Sequence, residues 1–510
     1  MNAKNKEILR KIIKYGIFPV EFITALFFTI FVFKIYYTKT YNGYWSLKYL
    51  ITVSIIGIAL LGIIIYNLIK NKDKIETIAI SIIIPIGMLY LIFMMPSQVP
   101  DELAHLWRAY EITDGKFFSD FNEPTKVPED LVYKVKNYVS TYNGLIESLK
   151  EPTNYDNKIE VNNTAKTYPG FLYIFSALGF ELSKLLNLNI ILGAYLAKLM
   201  NFIIFLVLGY YSIKLIPFGK YPMMAVLFLP MVLHQGTSVS ADAIINSLSL
   251  LYIAFSVKLI FKKTEISIFE IINIIIMSCL IGISKYVYLP LVGIPLILIF
   301  SKNLSKKRKI VFLTSCIILS SVVSVGYFVF SNKYPNPHED YLQEANVNLK
   351  EQVKFIINNP NQYLDTIGNT LYQKGETYIY EAVGVKLGWL EINLPMILVT
   401  TYIVLLLSSS FIENNELVFS FKQKLYIWLI IIAIIILIIT GLYIIWTTVG
   451  KDVAEGIQGR YFIPLLLLIL LTLCKKNNYV KIKNVRFIYP CLLALLNISA
   501  ISTIFTFFAK

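Results

Sequence analysis

The feature that most constrains this chain is its runs of apolar residues, which repeatedly reach about twenty, the length of a helix that crosses a bilayer core of roughly 30 Å. The mean hydropathy is +0.63. Only 15% of the 510 residues are charged, against about 25% in a typical soluble protein. A soluble enzyme, a disordered scaffold and a secreted disulfide-rich domain are therefore excluded. The sequence predicts an all-α polytopic membrane protein.

The basic residues indicate the orientation of the chain. Lysine and arginine outnumber acidic residues, 47 to 32, and they cluster between the apolar runs. The positive-inside rule places these clusters in the cytoplasm. Thirteen spans satisfy every cluster, with the N-terminus inside and the C-terminus outside. The predicted spans are approximately 17–37, 49–69, 77–95, 190–213, 222–240, 243–261, 268–284, 286–300, 310–330, 394–412, 425–446, 460–474 and 485–508.

This topology divides the chain into an N-terminal two-span hairpin, 1–76, and a transmembrane module, 77–510. Two net-acidic loops of the module, 96–167 and 331–393, fall outside, where we expect them to form a small cap. The apolar stretch Tyr168–Leu186 does not fit, because a full crossing would turn every later basic loop outward. We predict that it dips into or lies along the outer leaflet. The alternative is a further crossing near 187–192.

The sequence also limits the chemistry and its location. The longest cytoplasmic connections have about a dozen residues, too few for a nucleotide-binding domain, and neither GxxxxGKS nor a strand-linked GxGxxG is present. The four cysteines lie in or beside apolar runs and suggest neither disulfides nor a zinc site. No nucleic-acid partner is expected. Any group transfer would take place at the outer face or in the membrane, with a lipid-carried donor.

The segment PDELAHLWRAY, residues 100–110, carries the densest set of chemical groups. On a helix, Asp101, His105 and Arg108 share one face, with Glu102 beside them. One interpretation is a helix cap with an interfacial ladder of salt bridges. The other is a general base, a carboxylate that stays ionised beside a cation. A metal site formed by the carboxylates and His105 is conceivable but incomplete.

Three more outer ends carry polar groups next to apolar runs. They are HQGTSVSAD with His234 and Asp242, ISKYVYLP with Lys285, and EGIQGRYFIPLL with Arg460. Taken singly, Lys285 and Arg460 are typical of snorkelling interfacial anchors. However, the predicted topology depends only on the basic clusters, and it places these ions and those of PDELAHLWRAY together at the outer face of the membrane. Carboxylates for a hydroxyl proton and cations for a phosphate form the set that moves a sugar off a lipid phosphate.

Six blocks of the sequence resemble the bacterial membrane-protein family called domain of unknown function 2142 (DUF2142). The blocks are PDELAHLWRAYEITDG (100–115), TYPGFLY (167–173), SVSAD (238–242), KYVYLPL (285–291), LGWLEINLP (387–395) and EGIQGRYFIPLL (455–466). That family is grouped with the C-type (GT-C) glycosyltransferase superfamily, whose members take sugars from polyprenyl-phosphate carriers at the outer face. The resemblance covers about residues 80–500.

The resemblance implies roles for particular residues. The superfamily has an acidic pair in the first large outer loop, as catalytic base or metal ligand, and here Asp101 and Glu102 hold that position. The aspartate of SVSAD, Asp242, resembles an acidic residue at the outer end of a later span. Arg460 would contact the donor phosphate. The chain departs from the superfamily in having two predicted spans before the acidic loop instead of one.

We therefore expect an inverting glycosyltransferase of a bacterial plasma membrane. Its donor would be a polyprenyl-phosphate sugar with the tail in a groove between spans, and its acceptor an extracytoplasmic glycan, teichoic acid, lipid or protein. Asp101 would be the base, with Glu102 or His105 orienting it or holding Mg²⁺ or Mn²⁺. The expected phosphate contacts are Arg460, Lys285 and Arg108, and the expected cavity residues are Asp242, His234, Tyr288 and Gln458.

Two rival functions use the same outer face or the same lipid. A polysaccharide polymerase or ligase would transfer an oligosaccharide from a pyrophosphate carrier. A transporter or flippase would do no chemistry, and such proteins place charged residues near the middle of facing spans. Here the middle positions are almost free of charge, with Glu21 and Lys198 as the main exceptions, which favours chemistry at the surface.

Overall fold

A computed structural model describes residues 74–119, 123–135, 141–300, 306–331, 347–413, 415–476 and 485–508, together with Ile55, Gly62 and Tyr66. The predicted spans 17–37 and 49–69, and with them almost all of the predicted unit 1–76, lie outside the described residues. The predictions can therefore be compared with the structure only in the transmembrane module.

The described part contains seventeen α-helices and four short β-strands. In chain order the elements are α1 Ile75–Phe93, α2 Glu102–Thr113, β1 Thr125–Pro128, α3 Glu129–Tyr133, α4 Tyr142–Ser148, β2 Lys158–Val161, α5 Ile174–Leu185, α6 Ile190–Leu215, α7 Lys220–Leu227, α8 Pro230–Gly236, α9 Ala241–Phe261, α10 Ile268–Ser284, α11 Lys306–Ser331, α12 Leu349–Asn358, α13 Pro360–Val383, β3 Lys386–Leu387, β4 Ile392–Asn393, α14 Met396–Ile412, α15 Phe421–Trp446, α16 Ile463–Leu473 and α17 Val485–Phe508. Helical 3₁₀ segments cover Thr164–Thr167, Gly170–Tyr173, Tyr286–Phe300 and Gly459–Phe462.

Six helices of the described part are long and apolar enough to cross a membrane: α1, α6, α9, α11 from Phe312, α15 and α17. They coincide with six of the predicted spans. Four shorter apolar helices, of 10–17 residues, lie at the predicted spans 268–284, 286–300, 394–412 and 460–474. The chain is thus a multi-pass helical protein, and these four segments have close to their predicted lengths, below the about twenty residues of a helix that crosses the bilayer core.

The predicted span 222–240 is not one helix. It consists of α7 and α8, which are interrupted at Phe228 and Leu229. Pro230 opens α8; proline has no backbone N–H and its ring clashes with the preceding helical turn, so it starts a helix more readily than it continues one. The short α8 ends at Gly236, beside the turn that leads into α9.

The two predicted outer loops fold into separate small units. In 96–167, α2 is followed by the antiparallel pair β1–β2, with Thr125 opposite Val161. In 331–393, α12 and α13 lead to the β3–β4 hairpin. The loops meet where Trp389 Nε1 donates to the Ser97 carbonyl at 2.7 Å. Elsewhere α2 packs on α5, and α13 packs on the Gly459–Phe462 turn.

The apolar stretch 168–186 forms a 3₁₀ turn and then α5, which has 12 residues. At 1.5 Å per residue α5 is about 18 Å long, which is too short to cross a core of about 30 Å. It turns back at 186–189 to pack against α6. The position of this stretch in or along the outer leaflet stays a prediction.

Candidate functional site

Asp101 occupies an unusual backbone conformation just before α2. Its φ is +65° and its ψ 0°, in the left-handed region that aspartate and asparagine enter more readily than most residues. It holds the N-cap position, yet its side chain does not cap the helix. The carboxylate, whose side chain is 57% exposed, instead contacts the Arg460 guanidinium, with Oδ2 3.2 Å from Nη2. Of the two interpretations of this segment, the helix cap does not apply to Asp101, whose carboxylate forms a long-range ion pair instead.

Four charged side chains form a continuous chain of ion pairs, which we call the charged row: Asp101, Arg460, Asp242 and Lys285. Arg460 Nε lies 3.4 Å from Asp242 Oδ2, and Lys285 Nζ lies 3.1 Å from Asp242 Oδ1. Arg460, Asp242 and Lys285 are largely buried, whereas Asp101 is exposed. Two carboxylates and two cations sum to zero charge, and Asp101 forms the open end of the row.

The secondary structure explains why these charges are tolerated. Asp242 lies in the first turn of α9, whose N-terminus is capped by the Ser240 side chain, and Lys285 is the C-cap residue of α10. The helix dipole favours an anion at a helix N-terminus and a cation at a C-terminus, by about 0.3–1 kcal/mol each. Buried charges that lose their partner cost far more, so the row holds four segments of the chain in fixed relation.

Two tyrosines support the cations of the row. Lys285 Nζ lies 3.9 Å from the centre of the Tyr461 ring, and the Arg460 guanidinium lies 5.7 Å from it. Cations are attracted to the face of an aromatic ring at such distances. Tyr288, expected in the cavity, is buried and donates its hydroxyl proton to the Tyr461 carbonyl at 2.8 Å. Tyr461 was missed from the sequence because a tyrosine at the start of an apolar run is typical of ordinary packing.

His105 lies beside the row within an aromatic cage. Its Nδ1 is 2.6 Å from the Tyr173 hydroxyl, and the Tyr168 ring meets the imidazole edge-on at 5.4 Å between centres. Burial lowers the pKa of His105 to about 4, against the opposing influence of Asp101 and Asp242. The imidazole is therefore neutral at physiological pH. Both tyrosines belong to TYPGFLY, a block that gave no individual site residue in the sequence analysis.

Glu102 faces away from Asp101. It is completely buried, and its Oε1 accepts a hydrogen bond from the Val239 N–H at 2.9 Å. Burial raises the pKa of Glu102, while the buried Lys198 ammonium opposes that effect. Val239 belongs to the turn that leads into α9. Glu102 thus connects α2 to the turn that carries Asp242, and its carboxylate does not join the charged row.

Arg108 is engaged elsewhere. Its guanidinium donates to Glu111 Oε2 at 3.0 Å and to the carbonyls of Lys116 and Phe117 at 3.0 and 2.7 Å. The side chain is buried. Arg108 therefore ties α2 to the loop that follows it. The structure does not bring Arg108 to the charged row, although the helical spacing had placed it on the same face as Asp101.

His234 and Gln458 line a narrow cavity together with Arg460. The cavity has a volume of about 10 Å³, which is room for about one water molecule. His234 Nε2 accepts a hydrogen bond from the Gly388 N–H at 3.2 Å. A second buried acceptor is near, since Gln235 also lines the cavity and its Oε1 has no hydrogen-bond partner.

A divalent-cation site at Asp101 and Glu102, which the sequence left open, does not fit this arrangement. Asp101 and Glu102 diverge, and Asp101 and Asp242 already share the Arg460 guanidinium. Arg460 and Lys285 lie beside these two aspartates, and their positive charges oppose the binding of a metal cation there. Within the described ranges, no group of three or more histidine, cysteine, aspartate or glutamate side chains is placed to hold a metal ion.

An apolar cavity of about 530 Å³ lies near the site end of α1. It is lined by Leu91, Ile92, Phe93, Tyr142, Leu145, Leu149, Leu188, Leu192, Tyr195, Leu196, Leu199 and Phe505. Helices α1, α4, α6 and α17 contribute these residues, except for Leu149, which follows α4, and Leu188, which lies in the turn before α6. No member of the charged row is among them, so this cavity is separate from the narrow cavity that Arg460 lines.

The long apolar helices and the ionic cluster at one end of them define a multi-pass membrane protein with a polar site. Residues 84–469 match the family model described as "Predicted membrane protein (DUF2142)", and the chain belongs to that family. No curated protein and no solved structure matches the chain.

Proposed function

We propose that this protein is a membrane glycosyltransferase that moves a sugar from a polyprenyl-phosphate carrier to an extracytoplasmic acceptor. The observation that carries the proposal is the charged row, in which an exposed carboxylate is held 3.2 Å from a buried guanidinium. The carboxylate can activate an acceptor hydroxyl as a general base, and the guanidinium can bind the phosphate of a lipid carrier.

Asp101 is the base of the proposed reaction. Its Oδ2 contacts Arg460, and its exposed side chain leaves the carboxylate open to an acceptor hydroxyl. The hydroxyl oxygen attacks the anomeric carbon as its proton passes to Asp101, and the bond from that carbon to the carrier phosphate breaks. The carrier phosphate leaves with the bonding electrons, so the sugar inverts its configuration in a single displacement.

Arg460 and Lys285 neutralise the developing charge on the leaving phosphate. Arg460 Nε is buried and has no hydrogen-bond partner, although Asp242 lies 3.4 Å away. An unpartnered buried donor is costly and favours an incoming acceptor. A phosphate oxygen supplies such an acceptor, and guanidinium suits phosphate through paired N–H groups. Glu102 and Asp242 act as positioning residues that fix α2, α9 and Arg460.

The location of the ions favours this proposal over a transporter. The four members of the row meet at one end of the helices, at the start of α2, the start of α9, the end of α10 and the start of α16. In the described part, Lys198 is the buried ionic group that lies away from the ends of a long apolar helix, and its ammonium donates to the Met94 carbonyl. A polymerase or ligase would use the same row, with an oligosaccharide donor.

The decisive experiment replaces Asp101 with asparagine in purified protein in lipid bilayers. Asparagine accepts the left-handed backbone but cannot take up the proton. We expect transfer of radiolabelled sugar from monosaccharyl polyprenyl phosphate to fall by a factor of about 10²–10⁴, the usual contribution of a general base. Supplying an oligosaccharyl polyprenyl pyrophosphate in parallel separates the transferase from a polymerase or ligase.

Asp114→Asn is the matched control. Asp114 follows the other end of α2 and, like Asp101, is part of an ion pair, with Lys158 at 2.7 Å. This variant should retain transfer and reach the membrane in the same amount as Asp101→Asn. Near wild-type transfer by Asp101→Asn would remove Asp101 as the base, and consumption of neither donor by the wild-type protein would remove the transferase.

A further inference from the structure

Helix α13 has three distinct faces. Thr366, Thr370 and Tyr378 are buried against the rest of the protein. At 100° per residue, five exposed polar residues fall within an arc of about 80°: Gln362, Asp365, Asn369, Gln373 and Glu376. Of the other exposed polar residues, Lys374 and Thr377 lie on the side of the buried residues, and Asn361 lies in the first turn on the side of Leu364. The exposed apolar residues fall within a neighbouring arc of about 100°: Leu364, Leu371, Tyr372 and Ile379. We call this second arc the apolar strip.

The strip is uncharged and open. Leu364 is 63% exposed and Tyr372 is 91% exposed. Two glycines of the same helix, Gly368 and Gly375, also face open space. A helix that exposes an apolar arc beside a polar one is typical of a segment that lies in the plane of a membrane interface. The strip continues at the end of α12, where Ile357 is 73% exposed.

The contacts of α13 with α15 fix its depth relative to the membrane. The Tyr363 hydroxyl contacts Thr440 Oγ1, and the rings of Tyr363 and Tyr443 are 5.7 Å apart. Counted from Leu425, just after the last lysine of α15, about twenty residues cross the hydrocarbon core and end near Ile444. Thr440 therefore lies about 6 Å inside the boundary on the site side.

Two further observations place this level at the bilayer interface. Tyr363 and Trp446 are half-buried near this level, and tyrosine and tryptophan are the residues enriched at membrane interfaces. Moreover, only 39% of the most apolar stretch of α15 is buried, so α15 presents a broad face to lipid. The beginning of α13 packs directly against α15. The strip is thus continuous with a lipid-facing surface.

We propose that the apolar strip of α13, with the end of α12, is embedded in the leaflet on the site side of the membrane, where it contacts acyl chains and headgroups. The other end of α13 holds the Arg460 turn, because Glu381 Oε2 accepts from the Gly459 N–H at 2.9 Å and the Tyr378 ring stacks on Phe462 at 5.5 Å. One helix therefore sets the height of Arg460 relative to the lipid surface. This inference does not depend on the proposed reaction.

Site-directed spin labels on the full-length protein in phospholipid nanodiscs test the proposal. Single cysteines replace Leu364, Leu371 or Ile379 in the strip, and Asn369 or Gln373 on the polar face. All five positions are exposed, so the labels do not disturb packing. Leu429→Cys, on the exposed face of α15, gives the value for a label in lipid. The wild-type protein, with its native cysteines buried or half-buried, gives the background.

Labels in the strip should collide several-fold more often with apolar oxygen than with the polar nickel chelate NiEDDA, as at Leu429, and labels on the polar face should show the reverse. Equal access of NiEDDA to both faces would mean that the strip lies in water and would overturn the proposal. Low access of both reagents to the strip would mean that protein covers it, which would also overturn the proposal.

Discussion

Asp101 and Glu102 are neighbours in the chain, yet their carboxylates lie in opposite environments. Asp101 is exposed in the charged row, and Glu102 is buried against the Val239 N–H. The positive φ of Asp101 causes this divergence, because it turns the chain just before α2 begins. The acidic pair therefore supplies one exposed and one buried carboxylate, which the proposed reaction uses as base and positioning group.

Neutral His105 makes the stability of the protein depend on pH. Its pKa is about 4 in the folded state and about 6.5 when unfolded. Between these values the unfolded state binds more protons, so stability falls as the pH falls from about 6.5 to about 4, by up to about 3 kcal/mol. We expect the His105→Asn protein to lose less stability over this interval.

Apparent melting temperatures at pH 7.5, 6 and 5, followed by intrinsic fluorescence in detergent, measure this difference. The wild-type melting temperature should drop more steeply with acidification than that of His105→Asn. Parallel slopes for the two proteins would show that His105 titrates normally in the folded state.

At this scale the sequence predicted some contacts and missed others. Asp101, Asp242, Lys285 and Arg460 could be assigned to one face because helix order and basic clusters determine which span ends meet. The direction of Arg108 could not be assigned, because its partners are loop carbonyls whose position depends on how the chain folds back after α2.

At the scale of elements, the contact between α13 and the Arg460 turn is unusually close. A side-chain carbon added at Gly459 would lie 2.3 Å from the Tyr378 carbonyl oxygen and 2.5 Å from the Ala382 nitrogen. Both atoms belong to the backbone of α13, so they cannot move away independently. The glycine lets the turn and the helix approach until Glu381 can accept from the Gly459 N–H.

Gly459→Ala should therefore separate the turn from α13 and displace Arg460. Overpacking of this kind costs about 1–3 kcal/mol, and we expect a lower melting temperature together with reduced sugar transfer. Gly375→Ala is the control within α13, since its added carbon meets open space and alanine stabilises a helix by up to about 1 kcal/mol over glycine. Equal melting temperatures for both variants would contradict the close approach.

Helix breaks were only partly predictable. Pro230 stands where the structure divides a predicted span into two short helices, and Pro290 and Pro295 lie in a 3₁₀ segment at another predicted span. Each proline could have been read as an interruption of an α-helix. The sequence pattern nevertheless favoured continuous spans, because hydropathy averaged over twenty residues does not register a single missing N–H donor. The surface helix α13 was placed in a loop because its apolar arc is narrow.

At the scale of the whole molecule, the helices separate two ends of different character. The charged row lies at one end, and α9 runs from Asp242 at that end to Phe261 at the other, where Lys262 and Lys263 follow. The positive-inside rule assigns the lysine-rich end to the cytoplasm. The proposed donor and acceptor both require the row to face outward.

Cysteine labelling in intact cells tests this orientation. Glu391→Cys, near the row, should react with a membrane-impermeant maleimide, and Lys263→Cys should react only after the membrane is disrupted. Both positions are exposed, so access depends on the side of the membrane. Labelling of Lys263→Cys in intact cells, with Glu391→Cys protected, would reverse the topology and exclude an extracytoplasmic reaction.

The left-handed backbone at position 101 also bears on which variants a mutational scan would recover. Valine, isoleucine and threonine are strained in that conformation, so these variants should be depleted when abundance in the membrane is scored. Asparagine and glycine fit the backbone but cannot accept a proton at physiological pH. A scan that scores abundance and growth separately would therefore identify the asparagine and glycine variants as proteins that are present in normal amounts but inactive.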